Sequence, residues 1–154
     1  MSTNTKKCFK WSFATIVLVL VVVICFVAFS PRVHLQNTTS GSLSFSGLPP
    51  EFPLDKNGEQ QIIKRKLSTQ EVLKLSAIVS GKMLYRDNPS CGFDIDNAFI
   101  LNDVKGTHLF CIAEDGDGIL EDKSAGRFLY LSDAEMKEVL SIFSKYGGKL
   151  PYGI

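Results

Sequence analysis

The sequence predicts an α+β fold: one N-terminal transmembrane helix, then a small domain in which a three- to four-stranded antiparallel meander carries two helices on one face. Three observations predict it. An apolar run from Phe13 to Phe29 contains no charge and no amide side chain. Two capping boxes, Ser68-Thr69-Gln70-Glu71 and Ser132-Asp133-Ala134-Glu135, each open a stretch of helical periodicity. Between them the apolar period shortens to two.

The apolar run comes first. About 20 residues of helix span a hydrocarbon core, and in lipid the backbone must satisfy its own hydrogen bonds. Residues 11–30 are therefore expected to form a single-pass signal-anchor helix in the cell membrane. A cleaved signal peptide is the alternative. The run exceeds the usual apolar core of such peptides, and Pro31 directly follows the small-residue pair at Ala28 and Ser30. Lys6, Lys7 and Lys10 precede the run and Arg32 alone follows it closely. Positive charge stays inside, so residues 1–10 are expected to be cytoplasmic and the remainder extracytoplasmic. All 16 acidic residues lie beyond the run together with 14 of the 17 basic ones. A part so nearly neutral offers no electrostatic footprint for nucleic acid.

Residues 31–59 read as an extracytoplasmic tether. Gln36 to Ser42 is small and polar, and Gly47-Leu48-Pro49-Pro50 is a turn-and-linker composition. Phe45, Leu48, Phe52 and Leu54 are apolar enough to dock on the domain or on a partner.

Residues 60–154 read as the domain. Ser68 can accept a first-turn amide and Glu71 can reach back to it, while Leu67 and Val72 stand where a hydrophobic staple closes. Val72, Leu75, Ile78 and Val79 recur at helical spacing, which predicts a helix over 69–80. Ser132 and Glu135 repeat the device, and Met136, Val139, Leu140 and Phe143 form the stripe of a helix over 133–146. Gly147 suits its left-handed C-cap. Strands are expected at 93–101, 107–113 and 127–131, with 82–86 as a fourth. Packing both helices on one sheet face is the simplest way to bury these stripes.

Pro89-Ser90-Cys91-Gly92-Phe93, Cys111 in a strand, Ser132-x-x-Glu135, Lys145-Tyr146-Gly147-Gly148 and Pro151 together resemble a small uncharacterised domain of exported or membrane-anchored proteins of Gram-positive bacteria. The resemblance covers about residues 68–152. It implies export and a bacterial host, and it carries over no active site.

Four features bear on chemistry. Cys91 and Cys111 form an even pair, which in an oxidising compartment predicts a disulfide; inert thiols and one reactive thiol are the other readings. His108 shares a strand face with Phe110 and Ile112, so it points away from Cys111, whereas a Cys91–His108 dyad stays open. Glu114 to Asp122 is acidic, with Asp115, Asp117, Glu121 and Asp122 as calcium candidates. Setting Asp115 first in an EF-hand loop puts Ile119, Leu120 and Gly126 where the loop needs an oxygen ligand, glycine and glutamate, so a solvated turn is the simpler reading. Lys64-Arg65-Lys66 reads as a wet strand edge or as a contact for anionic lipid or cell-wall polymer. No catalytic residue, cofactor or resident metal is indicated. The expectation is a non-enzymatic interaction or regulatory module that meets the membrane through 11–30 and takes a protein partner outside the cytoplasm. A small thiol-dependent enzyme and a weak calcium-binding surface domain are the alternatives.

Overall fold

Alternating burial builds one continuous sheet, and the two capped helices close over it. The computed structural model describes residues 3–46, 62–86, 89–115 and 117–148. They fall into two units, one ending at Pro31 and one starting at Arg32.

The first unit is a helix, α1 (Thr3–Phe29). Its described side chains from Ile16 to Phe29 are large, apolar and solvent-facing. The expectation of a membrane anchor is nevertheless corrected: among the described residues no helix is long and apolar enough to cross a membrane. The signal-anchor reading, the single-pass placement at the cell membrane and the orientation derived from flanking lysines fall with it.

The second unit holds β1 (Ser40–Ser46), β2 (Ile62–Lys66), α2 (Thr69–Val79), β3 (Phe93–Asn102), β4 (Thr107–Ala113), β5 (Ile119–Asp122), β6 (Arg127–Tyr130) and α3 (Asp133–Lys145). Six strands form one antiparallel sheet in the order β2-β1-β3-β4-β5-β6. The expected three- to four-stranded meander is thus corrected to six strands. β1 comes from the segment read as a tether, and β2 carries the basic cluster. β5 lies within the acidic run. The expected strand at 82–86 is instead two isolated bridges, Arg32 with Met83 and Tyr85 with Phe128.

Register fixes which side chains share a face. Leu43 stands opposite Phe99, Phe99 opposite Phe110, Ile112 opposite Leu120, and Leu120 opposite Leu129. These residues are wholly buried and meet Val72, Leu75 and Val79 of α2 and Met136, Val139, Ile142 and Phe143 of α3. Each large apolar side chain so enclosed contributes about 1.5–3 kcal/mol. Both helices therefore lie on this inner face.

Each helix starts at its capping box. Ser68 accepts the Glu71 amide while the Glu71 carboxylate accepts the Ser68 amide at 2.8 Å; Ser132 and Glu135 do the same, the return bond being 2.7 Å. α3 ends in a Schellman motif, in which Gly148 N–H donates to Phe143 O and Gly147 N–H to Ser144 O, with Gly147 at φ +86°.

Residues 32–39 are pinned across the domain. Val33 is buried and exchanges backbone bonds with Lys82 and Gly81, and Gln36 N–H donates to Asp103. β3 carries an irregularity between Phe93 and Ala98. Asn97 is buried there, and its side-chain oxygen has no hydrogen-bond partner among the described residues.

Candidate functional site

The sheet face away from the helices carries an aromatic cluster at one end. Alternation puts Phe128 and Tyr130 of β6 on this outer face because Leu129, between them, enters the core. Tyr85 joins from outside β6 by exchanging both backbone bonds with Phe128. Its ring meets Tyr130 edge-on, with centroids 5.3 Å apart, and Phe93 lies 5.2 Å from Phe128. Tyr85 and Tyr130 remain 37% and 41% exposed, so this is a surface and not a second core.

Carboxylates rim the cluster. The loop after β4 begins at Glu114, whose amide donates to Gly92 O at 3.1 Å, beside the start of β3. Asp115 accepts the Asp117 amide at 3.2 Å, and Gly118, at φ +73°, turns the chain into β5. Among the described residues no cation lies within ion-pair distance of Glu114, Asp115 or Asp117. Their field reaches Cys91: burial first, then Asp115, Asp117 and Glu114, push its thiol above the ordinary value. A thiol held protonated is a poor nucleophile at neutral pH.

The structure separates most of the residues singled out above. Asp115 and Asp117 sit in the loop. Glu121 faces outward and pairs with Lys123 at 2.6 Å, while Asp122 turns to the inner face. Asp122 accepts the amides of Ser124 and Ala125, capping the turn into β6, and burial raises its carboxyl above the usual range despite those bonds. Neighbouring strand residues point to opposite faces, so the four calcium candidates do not converge. Among the described residues no group of three or more His, Cys, Asp or Glu side chains could hold a metal ion.

The disulfide expectation is corrected: Cys91 and Cys111 are not bonded. Cys111 stands opposite Ala98, whereas Cys91 lies beyond the Phe93–Ala113 pair. At ~3.3 Å per residue that offset is roughly 13 Å, about twice the Cα separation that a disulfide tolerates. His108 lies near the opposite end of β4, 3.6 Å from Asp103 and stacked on Phe110, so it does not form a dyad with Cys91.

Two features had no counterpart in the sequence reading. One is the aromatic cluster, whose only local signal is the alternation in Phe128-Leu129-Tyr130. The other is a latch around Glu71. Beyond its capping role, Glu71 accepts from Lys145 Nζ at 2.5 Å and from Tyr146 Oη at 2.7 Å. Burial raises its pKa, but Lys145, the Ser68 side chain and backbone, and Tyr146 together hold it down to about 2. A cleft of about 530 Å³ between α2 and α3 runs past this pair and past Lys74–Glu138. Its charges are matched within the fold, which marks it as a helix-to-helix fastening.

Against protein-family models, curated proteins and solved structures, the chain finds no match.

Proposed function

We propose that the domain is a non-enzymatic interaction module whose outer sheet face receives a basic, proline-bearing extended segment of a partner protein. The observation that carries this reading is the solvent-facing cluster of Tyr85, Phe93, Phe128 and Tyr130 bordered by Glu114, Asp115 and Asp117. Exposed tyrosine faces accept proline rings and guanidinium groups. Carboxylates with no cation in ion-pair distance among the described residues supply the complementary charge and favour encounter with a basic ligand. The raised Cys91 thiol and the divergent calcium candidates favour neither a thiol enzyme nor a calcium-responsive domain.

Titrating the full chain with a short arginine–proline repeat peptide, and with its glutamate–proline counterpart, tests the reading. The arginine peptide is expected to shift amide resonances at 85, 93, 114–119 and 128–130, with a response that weakens as salt is raised. Tyr130→Ala combined with Asp115→Asn is expected to lower affinity about tenfold, from two contacts of ~0.5–1 kcal/mol each. Equal responses to both peptides, or none to either, would sink the proposal.

A further inference from the structure

The far edge of the sheet has the opposite character. β2 is a terminal strand, and among the described residues no backbone group pairs with its outer side. Lys64, Arg65 and Lys66 are all exposed, as is Ile62 at its start. Among the described residues none of the three cations has a carboxylate within ion-pair distance.

We infer that β2 is a strand-addition site for an acidic extended polypeptide segment. An edge strand presents a row of unsatisfied donors and acceptors to an incoming chain. The side chains then choose the occupant. Register sets Arg65 against Leu43, on the inner-face side, while Lys64 and Lys66 stand against Ser44 and Ser42 on the outer-face side. The cations therefore project both above and below the edge. A flat anionic surface can meet one of these sides; a strand whose own side chains alternate meets both. A second copy of the chain is disfavoured, because β2 paired with β2 sets this run of cations against itself, and like charges opposite one another destabilise a ladder. Carboxylates on successive residues of a partner strand neutralise it, and Ile62 offers an apolar contact at one end.

The test uses the full chain and a short peptide of consecutive glutamates flanked by threonines. Amide hydrogen exchange over 62–66 is expected to slow on binding. The paired change Lys64→Ser with Lys66→Ser touches no core position and is expected to weaken affinity about fivefold to tenfold, from two cross-strand charge pairs. The same peptide N-methylated at alternate residues keeps every charge but cannot extend the ladder, and is expected not to bind. Equal binding of the N-methylated peptide overturns strand addition and leaves a purely electrostatic contact. Protection of 62–66 by vesicles of anionic phospholipid but not by the peptide overturns it in favour of a lipid surface. Protection that grows with protein concentration alone overturns it in favour of self-pairing.

Discussion

Glu71 ties the start of α2 to the end of α3. It closes the α2 capping box, receives Lys145 and Tyr146 from the end of α3, and keeps its side chain only 8% exposed. The carboxylate raises both partners in turn, holding Lys145 as ammonium and Tyr146 as phenol to higher pH than usual. Since its own folded pKa lies near 2 against an ordinary 4.5, the stabilisation is complete above 4.5 and drains away as pH falls through 2. Glu71→Gln retains a box-competent side chain but loses the charge. It is expected to cost on the order of 2 kcal/mol at neutral pH, after allowance for the solvent-exposed Lys145 ammonium. Urea titrations across the acid range check this: the gap between wild type and variant should shrink below pH 4.5 and close below about pH 2, and a gap that persists there points to packing instead of charge. The serine-x-x-glutamate spacing made the cap legible. Lys145 and Tyr146 were not, because a contact between two helices leaves no trace in the spacing along either one.

At the level of elements, legibility followed the strength of local signals. α2 and α3 begin where serine and glutamate occur in register and stop near Gly81 and Gly147. β1 was obscured because serines alternate with Leu43 and Phe45, and small polar residues read as linker until a partner strand covers the other half. β5 is only four residues long, with an apolar pair entering it from an acidic loop. The α3 terminus offers a clean test. Gly147→Ala places a Cβ in the left-handed region and should cost about 1 kcal/mol, measured as a lower urea midpoint with an unchanged slope. A neutral outcome means that the Schellman turn relaxes freely.

For the whole molecule, the decisive difference between expectation and structure is where the folded unit starts. β1 is interior, flanked by β2 and β3, so this strand, from the segment read as a tether, completes the core. A chain beginning at residue 60 is expected to show no cooperative thermal transition, whereas one beginning at Arg32 melts cooperatively. Scanning calorimetry on both distinguishes them, and a sharp transition in the shorter chain makes β1 a peripheral strand. The same sheet is polarised, with exposed lysine and arginine at the β2 edge and aromatic rings with carboxylates at the β6 end. A near-neutral total charge hid that separation from any reading of composition.

The interior place of β1 also orders events in time. β2 and β3 run in the same direction on either side of it, and the chain between them passes through α2 and out to the β6 edge before returning. The meander from β3 to β6 closes through short loops, so it can assemble early. β1 is the first strand to emerge during synthesis; β2 starts 16 residues after its end, but β3, its other neighbour, starts 47 residues after it. Its insertion is a high-contact-order step, slow relative to the local hairpins. Until it docks, the inner-face residues Phe99 and Leu101 lack their cover on that side. A nascent chain paused in this interval presents an unfinished sheet to the cell's chaperones, and the speed with which β1 returns decides how long that window stays open.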